Sequence, residues 1–353
     1  MRILGIESSA DETAAAVVEN GSKLLSSVIA SSLDLHTAYG GIVPEIAARS
    51  HIEAIMPTID EALKTAKTDW DNIDAIAVTR GPGLGGSLLI GVMTARTLAI
   101  AKNKPLYGVN HVEAHVYANF LTDTDLPNYA MPPAPPSFPL LCLIVSGGHT
   151  QLVLFKDHFD YRLLGQTGDD AVGEAFDKVA KILGLPYPGG PSVGQAAIDG
   201  NITSVKLPIA KMENKYDFSF SGLKTAVLRA AQEMAGKDYT FPSHELVGAL
   251  TDEQKNNIAA SFQHVAVQTL VNKLKLAVDE FQPKSIAIAG GVAASPYLRQ
   301  QIEKQINQPV LYPDMKLCTD NAAMIAALGY QYTAAKKPPD DPYTLEIDTN
   351  LQM

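Results

Sequence analysis

Two cysteines and one tryptophan are all that 353 residues contain of those types. With only Cys142 and Cys318, a disulfide-stapled scaffold is excluded, and two reduced thiols in a cytosolic chain are expected. No stretch approaches the ~18 uninterrupted apolar residues of a membrane span. The opening MRILGIESS lacks the apolar run of a signal peptide, because Glu7 interrupts it. The expected location is therefore the cytoplasm, with no membrane partner. Excess basic charge is missing too. Lys and Arg number 28 against 38 Asp and Glu, for a net charge of −10. Such a chain is no generic nucleic-acid binder. If it acts on nucleic acid, it needs a local basic patch or a basic partner. What remains is an ordinary globular composition, 46% apolar and 19% charged, long enough for two lobes.

Strand and helix patterns alternate along the chain. RILGIE (2–7) and TAAAVVE (13–19) read as strands joined by the tight turn SSADE, and KLLSSVIA continues the sheet. Helical spacing runs from Val43 to about Ala66. Strand IDAIAVT (73–79) enters the glycine-rich turn RGPGLGG, which opens a helix to about Ala101. Asn110 is placed to cap a helix carrying HVEAHVYANF. Residues 122–139, rich in proline and acid, read as a loop or linker. Then the opening pattern recurs: LLCLIV, SGGHT and QLVLF echo the first strand, turn and strand, which suggests internal duplication. Helices near 172–184, 253–280 and 295–307, strands SIAIAGG and VLYP, and a helix after CTDNAAM follow. The last residues, from Lys336, read as an extended tail. The alternation argues an α/β fold of two similar lobes, residues 1–120 plus 321–353 and residues 121–320, with ligands at strand ends in a cleft.

His111 and His115 stand at i and i+4, on one helical face, where two imidazoles can share a metal. Two surface histidines are the plainer alternative. The zinc-protease order is H-E-x-x-H. Here Val112 follows the first histidine, and Glu113 lies far around the helix at ~100° per residue. It is badly placed to activate a metal-bound water, though it could orient a neighbour. Asp320, at a strand-to-helix turn, is a candidate third ligand or simply an N-cap. Two histidines and a carboxylate with open positions suit Fe2+ or Zn2+.

SSADET, RGPGLGG, SGGHT, PGGPS and AGGVAAS are small-residue turns whose backbone can approach a ligand, and exposed N–H groups in such turns bind phosphate oxygens. Two of them sit at equivalent strand–turn–strand junctions, the phosphate-clamp arrangement of the actin, Hsp70 and sugar-kinase superfamily. Asp11 and Glu12 in the first turn can hold a metal–phosphate, act as a base, or make an Asx-turn. Glu174 and Asp177 share a helix face, suited to ribose hydroxyls or simply solvated. His36, His51 and His149 have no partner spacing and read as structural.

Taken together, ESSADET, HTAYGGIVPEIAARSH, RGPGLGGSL, NHVEAH, VSGGHTQL, GDDAVGEAFDKVAKILGLPYPGGP, FSFSGLKTA, AGGV and CTDNAAM, in this order, resemble one family from residue 1 to about 330. It is the tRNA N6-adenosine threonylcarbamoyltransferase family, once labelled sialoglycoprotein endopeptidase, in its bacterial form. The resemblance implies an actin-like ATPase (ribonuclease H-like) fold of two duplicated lobes. It implies transfer of the threonylcarbamoyl group from threonylcarbamoyl-AMP to N6 of adenosine 37, in tRNAs reading codons that begin with A. It places metal ligands on His111, His115 and Asp320, and the proposed catalytic aspartate on Asp11. Donor and nucleotide contacts, for an AMP- or ATP-like nucleotide, fall on Ile144, Val145, Ser146, Gly147, Gly148, Asp177 and Gly190. Three departures stand out. Ala10 replaces a usual cysteine. Gly194 and Ser295 replace an aspartate and an asparagine near the adenosine end. The implied partners are tRNA, a paralogous non-catalytic subunit, a small ATPase and a separate synthase that makes the donor. Lys211, Lys215 and Lys224 are candidate tRNA contacts. The rivals are an ATP-dependent small-molecule kinase of the same fold, which leaves HVEAH and Asp320 idle, and a non-enzymatic scaffold like the paralog, which lacks those three residues.

Overall fold

The computed structural model describes residues 1–37, 39 and 41–353. The stretch HTAYGGIVPEIAARSH therefore includes two positions, 38 and 40, outside the described residues. In chain order the elements are β1 (Arg2–Glu7), β2 (Glu12–Glu19), β3 (Lys23–Ser31), α1 (Leu33–Thr37), α2 (Pro44–Thr65), β4 (Ala75–Gly81), α3 (Gly85–Lys102), β5 (Leu106–Asn110), α4 (His111–Tyr117) and β6 (Asp123–Thr124). Next come β7 (Leu140–Val145), β8 (Thr150–Asp157), β9 (Asp160–Gln166), α5 (Val172–Leu183), α6 (Gly189–Ala196), α7 (Ser221–Met234) and α8 (Leu246–Ala249). The chain closes with α9 (Asp252–Phe281), β10 (Ser285–Ala289), α10 (Pro296–Gln305), β11 (Val310–Leu311) and α11 (Ala322–Ala334).

Two compact units form, Met1–Ser137 with Leu311–Met353, and Phe138–Val310. The first holds a six-stranded sheet, ordered β5-β4-β1-β2-β3-β6. β1 runs antiparallel to β2 and parallel to β4, and β4 parallel to β5. β1 and β4 are almost wholly buried, which is why their sequences are near-continuous apolar runs rather than alternating ones. On one face Ile55 and Ile59 of α2 and Val92 and Ala95 of α3 join Leu4, Ile6, Ile76 and Val78 in one core. On the other face lies α11. A Cβ on Gly5 would stand 2.1 Å from Ala322 O, so only glycine lets the start of α11 press onto β1. Ile325 and Leu328 of α11 are fully buried, each stabilising by about 1.5–3 kcal/mol. This packing fixes Asp320, two residues before the helix, near the end of β1.

The second unit repeats the plan in the order β11-β10-β7-β8-β9. β7 runs antiparallel to β8 and parallel to β10, as β1 does to β2 and β4. The recurrence seen in the sequence is thus a repeated sheet topology. The long α9 starts at a capping box, Thr251 with Gln254, which satisfies two end N–H groups reciprocally.

Residues 121–137 and 311–320, which the sequence division gives to the second lobe, lie with the first unit. β6 adds to the edge of β3. Asp314 Oδ2 accepts from Ala130 N at 2.7 Å, and Lys316 Nζ donates to Asn128 O at 2.9 Å. The C-terminal tail, read as merely extended, is fastened: Leu345 is buried in the first unit's core.

Candidate functional site

The carboxyl ends of β1, β4 and β5 meet at one place in the first unit. Asn110 ends β5, and its Oδ1 accepts from Val112 N and Glu113 N, at 2.8 and 3.1 Å. That cap starts α4 with His111 as its first residue. His111 and His115 bring their rings to 4.7 Å. His111 Nε2 lies 3.4 Å and His115 Nε2 3.3 Å from the same Asp320 oxygen. Asp320 is not the cap of α11. Asn321 takes that task, its Oδ1 accepting from Met324 N at 3.0 Å, which leaves the Asp320 carboxylate to face the histidines.

Glu7 was not singled out from the sequence, yet it organises the site. It is completely buried at the end of β1. Its Oε1 accepts from Ser9 N at 2.6 Å, and its Oε2 accepts from Thr79 Oγ1 at 2.5 Å. The same Oε2 lies 3.0 Å from His111 Nδ1. A proton on Nδ1 turns the Nε2 lone pair toward Asp320. The available signal was an acid closing an otherwise apolar strand.

The electrostatics are those of a cation site. His111 sits well above its ordinary value: burial pushes it down, but Asp320 and then Glu7 outweigh that. Burial raises Asp320, yet His111 and then His115 hold it far below the carboxylate range. Glu12 is pushed up to about 10, by burial first and then by Asp320, Asp11 and Glu7. Negative charge is concentrated here beyond what the histidines balance. Both ring nitrogens of His115 are buried without a hydrogen bond, so an unmet polar demand remains. Three ligand atoms, one from each of His111, His115 and Asp320, lie within 4.8 Å of one another. Four-coordinate sites with bonds of about 2.0–2.2 Å place donors about 3.3–3.6 Å apart, and the two histidine distances to Asp320, 3.4 and 3.3 Å, fall in that range.

Glu113 is buried too, but burial raises it to about 7 with Lys337 as its opposing charge, away from the histidines. Asp11, in the turn between β1 and β2, is buried, and its backbone O accepts from Ser32 N at 3.1 Å. The turn is held from α2 and α3: Ala10 O accepts from His51 Nε2 at 3.0 Å and Ser87 Oγ at 3.1 Å. His51 also meets Thr13 Oγ1 at 2.7 Å, and His36 meets Ser32 Oγ at 3.1 Å, so both histidines are structural.

The expected nucleotide contacts of the second unit lie at the end of β7, on α5 and α6, and at the start of α10. Ile144 and Val145 are fully buried at the end of β7. Beyond them, Ser146 Oγ accepts from His149 N at 3.1 Å, and Gly147 and Gly148 are exposed with open space where a Cβ would point. Asp177 Oδ1 accepts from Gly189 N at 2.7 Å, which ties α5 to the start of α6 and leaves Gly190 facing open space. Gly194 sits inside α6, where an added Cβ would lie 3.4 Å from Gln263 Nε2. Ser295 caps α10, its Oγ accepting from Leu298 N at 3.3 Å. Lys215 pairs with Glu280, and Lys224 lies 3.7 Å from Asp170.

Comparison with known proteins gives one consistent result. Residues 23–327 match the family model described as tRNA N6-adenosine threonylcarbamoyltransferase. A protein of that description from Thermomicrobium roseum is 50% identical over 365 residues, covering 100% of this chain and 96% of its own length. One from Symbiobacterium thermophilum is 50% identical over 331 residues, covering 93% and 90%. Among solved structures, HypF of T. kodakarensis superposes with a TM-score of 0.60 at 14% identity, over 95% of this chain and 48% of its own. The fold is of the actin-like ATPase type. No helix among the described residues is long and apolar enough to cross a membrane.

Proposed function

The chain belongs to the tRNA N6-adenosine threonylcarbamoyltransferase family, and from that premise we propose how its residues share the work. It is an acyltransferase that places a threonylcarbamoyl group on N6 of a tRNA adenosine. The donor we infer is threonylcarbamoyl-AMP, and the acceptor is adenosine 37 of tRNAs reading codons that begin with A. The observation that carries the reading is the convergence of His111, His115 and Asp320 at the strand ends of the first unit.

An exocyclic adenine amine is a poor nucleophile, because its lone pair is delocalised into the ring. The donor's mixed anhydride supplies the activation. N6 attacks the carbamoyl carbon, the carbon–oxygen bond to phosphate breaks, AMP leaves, and N6 loses a proton. His111, His115 and Asp320 would hold one divalent ion, Fe2+ or Zn2+. Such an ion, when bound, neutralises donor oxygens and polarises the carbonyl. Glu7 fixes the His111 ring through Nδ1, and Asn110 fixes the start of its helix. Asp11 accepts or relays the amine proton. Backbone N–H groups of Gly147 and Gly148 hold the phosphate of the leaving AMP, with Ser146, whose own N–H donates to His149 O at 2.9 Å, Val145 and Ile144 framing the turn. Asp177 and Gly190 take the ribose. Gly194 and Ser295 stand at the adenosine end, where a shorter serine leaves weaker contacts than asparagine.

The partners we infer are a paralogous non-catalytic subunit and a small ATPase, with a separate synthase supplying the donor, all in the cytoplasm. Ile52 and Met56 on α2, and Leu89 and Met93 on α3, are exposed at i, i+4 spacing, an apolar surface suited to the paralogous subunit. An ATP-dependent kinase would leave the His–His–Asp cluster without a task. The decisive variant is His111→Ala. It should abolish transfer to tRNA while circular dichroism stays that of the parent, and a normal rate of modification overturns the metal role.

A further inference from the structure

The segment from Asp340 to Gln352 lies beyond the range matched by the family model, which ends at residue 327. It is nonetheless bound closely to the first unit. The Arg96 guanidinium on α3 donates to three of its carbonyls: Pro342 O at 2.6 Å, Tyr343 O at 2.5 Å and Leu345 O at 3.3 Å. Among the described residues Arg96 has no carboxylate partner. Its planar fork is engaged by these carbonyls, with Met93 Sδ a long 3.7 Å from Nη1.

The far end of the segment reaches the supports of the candidate metal site. Asp348 N donates to Arg80 O at 2.8 Å, and Gly83 N to Thr349 O at 3.3 Å. Arg80 follows Thr79, the residue that bonds Glu7. Asn110 Nδ2 donates to Gln352 O at 3.1 Å, while the same amide's Oδ1 caps α4. Two glycines make room for this course. A Cβ on Gly81 would stand 1.8 Å from Asp348 O, and one on Gly108 would stand 2.9 Å from Leu345 Cδ1. The first glycine of the RGPGLGG turn is therefore explained by this segment, not by a ligand.

We propose that residues 340–352 form a positioning strap, clamped by Arg96, that holds the Asn110 cap and the end of β4 so that His111 and His115 keep their places. Asn110 spends its amide on both tasks at once. Its oxygen starts the helix and its nitrogen ties that start to the strap. Loss of the clamp frees the strap, the cap loses its tether, and α4 opens more often. The proposal rests on the metal reading of His111, His115 and Asp320, and the experiment separates the two.

The experiment compares full-length parent, Arg96→Ala and Asn110→Asp by hydrogen exchange and by Zn2+ competition titration. Aspartate keeps the capping oxygen but puts a second oxygen where Nδ2 donates to Gln352 O. In Arg96→Ala, exchange across 340–352 should rise by about tenfold or more, and exchange across 111–117 should rise with it. The Zn2+ Kd should weaken by roughly three- to tenfold in both variants, within the range of losses from supports outside the ligand set. A strap that exchanges faster while α4 exchange and Kd stay at parent values overturns the proposal, because the strap is then only a cover. A strap still protected in Arg96→Ala overturns the clamp. Should Arg96→Ala fail to fold, Asn110→Asp decides alone. If the parent takes up no Zn2+, the metal reading falls, and the exchange comparison still decides the strap.

Discussion

Replacing Glu7 by glutamine changes one atom of a buried side chain and tests the outer support of the site. In the parent, Glu7 is an acceptor toward Ser9 N, Thr79 Oγ1 and His111 Nδ1. Glutamine can keep one oxygen on Ser9 N. Its NH2 then faces Thr79 and His111. The threonine hydroxyl can rotate to accept, but an Nδ1–H meets an N–H. Imidazole then either leans on the weaker, 3.3 Å contact of Nδ1 with Ser9 Oγ, shifting the ring, or moves its proton to Nε2, the nitrogen that faces Asp320 at 3.4 Å. The ligand nitrogen is displaced in the first case and lost in the second. Removing such a support costs about 10–100-fold in metal affinity, which is ~1.4–2.7 kcal/mol. The assay is competition titration of Zn2+ into apo protein, with the midpoint of apo unfolding measured in parallel. The Kd should rise by that factor while the apo midpoint moves far less. A parent-like Kd in Glu7→Gln refutes the reasoning, since His111 would then need no carboxylate at Nδ1.

Other consequences follow from single contacts. Gly290 has φ +91° and a would-be Cβ 2.4 Å from Val145 O. Gly290→Ala should therefore lower stability by about 1–3 kcal/mol in urea titration, and an unchanged midpoint contradicts the packing. Thr251→Ala removes half of the α9 capping box and should cost ~1 kcal/mol, read in the same titration. His51 is held below its ordinary value, chiefly by burial. The unfolded chain then binds the extra proton first, so this residue makes stability fall as pH drops below about 6.5, the ordinary histidine value. His51→Gln should flatten that part of the stability profile, and NMR titration should find the folded imidazole neutral below the ordinary histidine value. A slope that survives the substitution places it elsewhere.

Much of the site was legible in the sequence, for reasons that differ by residue. The i, i+4 spacing put His111 and His115 on one face, and the same count placed Glu113 elsewhere, where the charge that acts on it is that of Lys337. Asp320 was open between ligand and cap on spacing alone, and the family resemblance placed it as a ligand; in the structure Asn321 holds the cap. The only local sign of Glu7 was an acid closing an apolar strand; its role depends on Thr79 and His111, which are far away in the chain. The paired strands were legible because buried strands are continuous apolar runs. α6 was not, since GGPSVGQA has the composition of a turn and is helical through its packing. β9 was missed as well: it is mostly exposed, and its two buried residues are adjacent rather than alternating, so it carries little pattern. The tail lacks periodicity altogether, and its anchors, Leu345 in the core and the backbone groups that meet Arg96, Arg80 and Asn110, show only in three dimensions.

The central claim is that His111, His115 and Asp320 hold a divalent ion needed to modify tRNA. The most direct measurement is mass-spectrometric detection of threonylcarbamoyladenosine in tRNA incubated with threonylcarbamoyl-AMP and the partner proteins. Parent and Asp320→Ala are each assayed after chelation and after return of Fe2+ or Zn2+. The account predicts no product from chelated parent, recovery on return of the ion, and no recovery in Asp320→Ala. Undiminished product from chelated, metal-free parent contradicts it.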